Sequence, residues 1–287
     1  MKRILSCIDG SPFTEANCQY AAWLAQQLDT GVQLLHVTDQ RKLKASNTLD
    51  VSGTIGIGAY QTLLQEMVEL EENRAKLEHK RAKLILQDAE ARVKELGVQD
   101  TVTAHHTGFV VDDIAKFEAD SAIAVLGRRG ETADFAPGHL GSNIQRITRI
   151  STIPCFLTAQ TFRPIQKVLI AYDGGPRCEQ MVSFLGDYPV FQQYQLHGIG
   201  VGSSPDDPVV GDRLKTLNEK LTSYGYLPTL VQRHGDVTAN ILDYAAAENI
   251  DLIMMGAYSH SRIRNLFVGS TTAQIMRHCE LPLLLFR

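Results

Sequence analysis

Apolar and polar positions fall into short blocks along the chain, and the blocks recur. ILSCI at 4–8 ends at Asp9 and Gly10, and VLIAY at 168–172 ends at Asp173 and Gly174. Short apolar runs closed by turn residues predict buried strands. LLHV at 34–37 is set against QLHG at 195–198, which aligns His36 with His197 and predicts a second strand. HTGFVVDDIAKFEAD from His106 parallels HGDVTANILDYAAAE from His234, each a glycine turn followed by apolar residues at helical spacing. AIAVLG at 122–127 and DLIMMG at 251–256 read as central strands of a parallel sheet. Gly141-Ser142 and Gly269-Ser270 each open a helix, and Pro154 and Pro282 each precede a final strand.

Five landmarks in the same order make the chain an internal repeat. The repeated order predicts an α/β fold of two doubly wound, five-stranded, mostly parallel sheet domains joined by right-handed crossovers. Their expected bounds are 1–160 and 165–287, with a linker near Ala159 to Pro164. The apolar runs around Cys155 and up to Arg287 are expected to pair with one another, giving a pseudo-dimer within one chain.

The halves differ most between the second strand and the glycine turn. From about Tyr60 to Leu96 the first half carries one long helical pattern, with Leu63, Leu70, Leu77 and Leu84 seven apart. Such spacing resembles a coiled-coil seam, but Arg74 and Arg81 interrupt it. It reads either as a solvated helix packed along one narrow face or as an arm for a protein partner or second subunit. The second half shortens this region to GVGSSPDDPVVGDRLKTLNEKL.

Length and composition agree with this picture. The 287 residues suit two domains, and 44% hydrophobic with 21% charged residues is ordinary for a globular chain. A net charge of -4 gives no basic field for nucleic acid or an anionic membrane. Asp9 interrupts the first apolar run too early for a signal peptide, and no stretch is apolar enough to span a bilayer, so a cytoplasmic location is expected. Cys7, Cys18, Cys155, Cys178 and Cys279 are scattered and odd in number, which predicts reduced, buried thiols. No Gly-Lys-Ser/Thr loop, dinucleotide fingerprint or nucleophile elbow is present.

The candidate chemistry lies in the repeated glycines. Open α/β sheets bind ligands beyond the carboxyl ends of their strands, where strand order reverses. There, Gly127-Arg128-Arg129-Gly130 with Gly141-Ser142, and Gly256-Ala257-Tyr258-Ser259 with Gly269-Ser270-Thr271, bring backbone N–H groups to a helix N-terminus, an anion site. Glycine is also the default residue of tight turns, and Asp is a common helix N-cap, so both sets also read as structural. His36 and His197 are expected to face the sheet and satisfy backbone groups.

These loops resemble those of the universal stress protein family, in which glycine, two residues, glycine, nine residues, glycine, then Ser or Thr mark the nucleotide-binding members. The resemblance covers nearly the whole chain, in the tandem form, and implies the adenine-nucleotide α-hydrolase type of fold. It implies that Asp9 and Asp173 contact a nucleoside, that Val37 and Gly198 line an adenine slot, and that Leu126 with Gly127, and Met255 with Gly256, lie beside it. Gly130, Gly141 and Ser142, and Ser259, Gly269, Ser270 and Thr271, would then cradle phosphate. The ligand so implied is ATP or AMP, with or without Mg, held by a regulatory protein of the stress response whose ATP hydrolysis, if any, is slow. Both copies depart from the pattern. Ten residues, not nine, separate Gly130 from Gly141, with Glu131 and Asp134 among them, and Ser259 stands at the second glycine of the second half. If that position needs positive φ, Ser is strained there. With its spacing intact and His260, Arg262 and Arg264 nearby, the second half is expected to hold the better site. The open alternatives are an assembly protein with degenerate sites and a weak ATPase, the latter lacking an evident general base.

Overall fold

The computed structural model describes residues 2–40, 57–130, 141–257 and 271–287. The first half runs β1 (Arg3–Cys7), α1 (Thr14–Gln27), β2 (Val32–Asp39), α2 (Ile57–Glu95), β3 (Thr101–Gly108), α3 (Val110–Phe117), β4 (Ser121–Gly127), α4 (Ser142–Ile150) and β5 (Cys155–Thr158). The second repeats the order as β6 (Lys167–Ala171), α5 (Pro176–Asp187), β7 (Gln195–Gly202), α6 (Pro208–Ser223), β8 (Thr229–His234), α7 (Val237–Ala247), β9 (Leu252–Gly256), α8 (Thr271–His278) and β10 (Leu283–Phe286).

The strands form one sheet in the order β3-β2-β1-β4-β5-β10-β9-β6-β7-β8. Each half has its own doubly wound order, and the two final strands join antiparallel, Phe156 beside Leu284. The pairing expected of the last strands is therefore present. Strands β4 and β9 sit mid-sheet, and their apolar runs from Ile123 to Leu126 and from Leu252 to Met255 are buried on both faces. Two apolar layers cover the sheet, one under α1, α2, α5 and α6, the other under α3, α4, α7 and α8, and each runs through both halves. The single tryptophan stands at the seam: Trp23 lies 6.1 Å from Phe156 and 6.4 Å from Phe191, and its Nε1 donates to the Tyr194 hydroxyl at 3.2 Å.

Helix α2 follows helical periodicity only at its far end, where Ala82, Leu86, Ala89 and Val93 are buried at spacings of four and three. Between residues 63 and 81 no side chain is buried. Among the described residues no helix is long and apolar enough to cross a membrane.

Backbone pairing corrects one step of the sequence alignment. Cys7 pairs with Leu35 in the first half and Ala171 with Ile199 in the second, so the counterpart of Val37 is Val201, and His197 corresponds to Gln33 rather than His36. The match of two Leu-His pairs slid the strands by three residues, and an odd slide places side chains on the opposite face. Gly198, aligned with Val37 by sequence, instead faces α6 and β8: a Cβ there would lie 2.5 Å from Leu230 Cδ2 and 3.2 Å from Leu217 Cδ2. Strand β7 misled because Gly198, Gly200 and Gly202 leave it few side chains by which to read a face.

Candidate functional site

In the first half, strand order reverses between β1 and β4, and a cavity of about 630 Å³ opens at their carboxyl ends. Its chain-end residues are Asp9 from β1, Val37 from β2, Leu126, Gly127 and Gly130 from β4 and its loop, and Gly141 at the start of α4. Six first-half residues singled out from the sequence thus meet around one space. For the seventh, Ser142, only its place as the first residue of α4 is described. Leu35, Val110, Ile114, Ile144 and Ile147 supply the apolar part of its lining.

Each polar group is held by local chain geometry. Strand β1 ends in a turn because Gly10 takes φ +75°, a region open to glycine. Asp9 Oδ1 accepts the Ser11 N–H at 3.0 Å, and a Cβ on Gly130 would come within 3.2 Å of Asp9 Oδ2. The carboxylate therefore caps the first-strand turn and lies close against the glycine loop. Gly130 is not at positive φ, so its glycine makes room for Asp9 rather than relieving backbone strain. The Gly141 N–H donates to the Arg128 carbonyl at 3.2 Å, closing the loop on itself. The extra residue lies within 131–140, outside the described residues. Helix α4 has Gly141 as N-cap with no side-chain cap, which leaves its first turn suited to an anion.

Gly127 answers to packing as well. A Cβ there would lie 2.8 Å from Phe13 Cβ, and one at Gly256 would lie 2.9 Å from Arg177 Cβ. In both halves the glycine ending the central strand admits the start of the helix that follows the first strand. Asn17 completes the wall: its amide donates to the Cys7 carbonyl at 2.9 Å and its Oδ1 accepts from Thr158 Oγ1 at 2.7 Å, tying β1 to β5.

Three features escaped the sequence reading. First, helix α2 roofs the pocket, contributing Arg74, Glu78 and Arg81. Their spacing of four and three was the available signal, since it sets all three on one face. Second, the two arginines of the glycine loop divide their work. Arg129 lines the pocket, whereas Arg128 is buried and its guanidinium donates to the carbonyls of Cys279 and Leu281 in the other half. Third, a chain of imidazoles runs beside the pocket. His36 Nδ1 lies 2.7 Å from the Ile8 carbonyl, as a backbone-satisfying histidine should, His105 Nε2 lies 2.9 Å from Thr38 Oγ1, and His105 Nδ1 lies 3.2 Å from His79 Nδ1 on α2. Burial lowers the His105 pKa, and His36, His79 and His106 lower it further. His197 departs from expectation by meeting the Tyr244 hydroxyl, at 2.8 Å, instead of a backbone group.

In the second half, Gly174 takes φ +71° and Asp173 Oδ1 accepts both the Gly175 N–H at 2.8 Å and the Cys178 thiol at 3.1 Å. Met255 and Gly256 end β9, fully buried, and Thr271 begins α8. Ser259, His260, Arg262, Arg264, Gly269 and Ser270 lie outside the described residues. The cysteines are all free, and burial pushes the thiols of Cys18, Cys155 and Cys178 up to about 12. Among the described residues no group of three or more His, Cys, Asp or Glu side chains is arranged to hold a metal.

A duplicated, doubly wound α/β chain with a pocket at the switch point of its first half is the class that fold and site define. The family model described as "Universal stress protein family" matches residues 1–158 and 164–287. Universal stress protein Slr1230 of Synechocystis is 41% identical over 287 residues, covering 100% of both chains. A universal stress protein from Archaeoglobus fulgidus DSM 4304 shares the fold, with a TM-score of 0.69 at 18% identity, over 99% of this chain and 98% of that one. Protein PA1789 from Pseudomonas aeruginosa PAO1, described as functionally unknown, matches with a TM-score of 0.62 at 16% identity, over 100% and 92%. The chain belongs to the universal stress protein family.

Proposed function

We propose that the first-half pocket binds an adenine nucleotide, ATP or AMP, and that the protein acts in a stress response through the conformation or partner binding this ligand sets. The observation that carries the reading is the convergence of Asp9, Val37, Leu126, Gly127, Gly130 and Gly141 on one cavity of about 630 Å³. That volume falls within the range of roughly 300–1,000 Å³ usual for small-molecule sites. The division of the walls supports it. Apolar side chains suit a flat base, Asp9 suits ribose hydroxyls, and Arg129 with the first turn of α4 suits phosphate. Because Arg74 and Arg81 stand over the same space, the polyphosphate of ATP is favoured over the single phosphate of AMP.

The test is chromatography of whatever the denatured protein releases, joined to thermal shifts with ATP and AMP. ATP at a hundred times its Kd would stabilise the protein by about 2.7 kcal/mol. Gly141→Asp is expected to abolish that shift, while Gly269→Asp leaves it. The reverse pattern would move the site to the second half, around Asp173, Met255, Gly256, Ser259, Gly269, Ser270 and Thr271. No released nucleotide and no shift with either ligand would end the reading in favour of an assembly protein.

A further inference from the structure

Helix α2 shows an outer face that nothing among the described residues covers. Leu70 and Leu77 are each 67% exposed and Leu84 57% exposed, and with half-buried Leu63 they repeat every seven residues along one line. This line lies far round the helix from the buried Ala82, Leu86, Ala89 and Val93, by the 100° turn per residue. Most helical stability in proteins comes from tertiary packing, and between residues 63 and 81 no side chain of α2 is buried. The stretch 57–81 extends roughly 37 Å at 1.5 Å per residue. It thus presents a long seam with a leucine at every seventh position.

Charge selects the occupant. Glu66, Glu69, Glu71 and Glu72 fall in the first part of the stripe with no base among them, while Arg74, Lys76, Lys80, Arg81 and Lys83 fall in the second, where Glu78 is the one acid up to residue 84. Glu66, Glu69, Asn73, Lys76, Lys80 and Lys83, spaced three and four apart, form a single flank of the stripe that turns from acidic to basic along its length. In a parallel copy this flank would meet the opposite flank of the stripe, where Glu71, Arg74, Glu78 and Arg81 alternate in sign and give it no matching gradient. It matches an antiparallel copy, in which like flanks meet with their ends reversed.

We propose that the chain self-associates through α2, two copies packing antiparallel about Asn73. Leu63 and Leu70 of one copy face Leu84 and Leu77 of the other, and the reverse, while Glu66 meets Lys80 and Glu69 meets Lys76 across the seam. The β5–β10 pairing already closes the sheet within one chain, so this contact adds a second kind of interface to the two halves. Arg74 and Arg81 stand between the stripe and the pocket, so the second copy lies beside the pocket mouth.

Sedimentation equilibrium of the full chain tests this, and the leucines being exposed, their replacement leaves folding intact, as circular dichroism will show. A concentration-dependent dimer is expected, with Leu70→Glu joined to Leu77→Glu raising its dissociation constant at least tenfold. Glu66→Lys with Glu69→Lys should weaken it, and adding Lys76→Glu with Lys80→Glu should restore it. Orientation is read by mild oxidation, since the native thiols are mostly buried. Asn73→Cys should cross-link to itself and Gln87→Cys should not. A monomer at every concentration, a dimer indifferent to the leucine changes, or equal cross-linking at both cysteines would overturn the proposal.

Discussion

Replacing Arg128 with leucine should loosen the join between the two halves. The guanidinium sits in the first-half glycine loop, is 7% exposed, and donates to the Cys279 and Leu281 carbonyls that close the second half. A hydrogen bond to a charged group is worth about 1.5–3 kcal/mol, so the pair contributes about 3–6 kcal/mol. Against this stands the burial of the charge, which pulls the Arg128 pKa down, and an Nε atom without a partner, together costing about 1–3 kcal/mol. The difference spans about 0–5 kcal/mol, and its midpoint, about 2.5 kcal/mol, is the net loss expected. Urea unfolding followed by Trp23 fluorescence is the assay, because that residue is the sole tryptophan and packs on Phe156 and Phe191 from opposite sides of the seam. The midpoint should fall with little change in slope. A loss under 0.5 kcal/mol, or a gain, would refute the reasoning, since it would mean that desolvation cancels both bonds.

Other outcomes follow from single sites. Gly127→Ala puts a methyl 2.8 Å from Phe13 Cβ, a backbone-anchored atom, and should cost about 1–3 kcal/mol in a thermal melt. His105 and His197 both have folded pKa values below their ordinary 6.5, burial being the main cause. The stability they contribute is therefore present above pH 6.5 and lost as pH falls through their folded values, so urea midpoints should drop between pH 7 and pH 5, less in His105→Gln. Burial raises the Asp113 pKa, but Lys116 and His106 lower it more, leaving it below 3.8. Its stabilising share should persist at neutral pH and disappear only as acid carries the protein below that value, which a comparison with Asp113→Asn at pH 7 and pH 2 will read. Cys155 and Cys178, at about 12, should resist iodoacetamide at pH 8 until urea unfolds the chain.

The fold was legible wherever a run of apolar residues ended at a glycine or proline. β1 and β6, β4 and β9, and β5 and β10 all begin and end within two or three residues of where the pattern places them, because burial on both faces leaves no freedom in those strands. The pocket was legible for the same reason: Asp9, Gly127 and Gly141 stand at strand and helix ends, where topology alone brings them together. What could not be read depended on contacts between distant segments. Nothing local distinguishes Arg128, which reaches 151 and 153 residues along the chain, from Arg129, which lines the pocket. The register of β7 was misread because backbone hydrogen bonds, and not side-chain likeness, set it.

The long helix is where the halves part, and the structure shows it as an extension of a shared element. Arg81 of α2 comes within 4.0 Å of the Cβ position of Gly10, and Arg213 of α6 within 3.0 Å of that of Gly174, so in both halves the helix after the second strand lays an arginine over the Asp-Gly turn. In the second half the counterpart helix α6 starts at Pro208, five residues before that arginine. In the first half α2 starts at Ile57, 24 residues before Arg81, and the 19 added residues carry Arg74 to the pocket and Leu63 and Leu70, the first part of the leucine stripe, to the outside. A ligand that draws on Arg74 and Arg81 would therefore hold in place the helix that bears the stripe. The proposed binding in the pocket and the proposed pairing of chains would thus be coupled through one element, and by linkage each should tighten the other by the same factor. ATP should lower the dimer dissociation constant of the full chain. An Arg74→Ala and Arg81→Ala double variant should lose that effect while keeping its nucleotide-free dimer, whereas an equal response to ATP in both proteins would show the two sites to be independent.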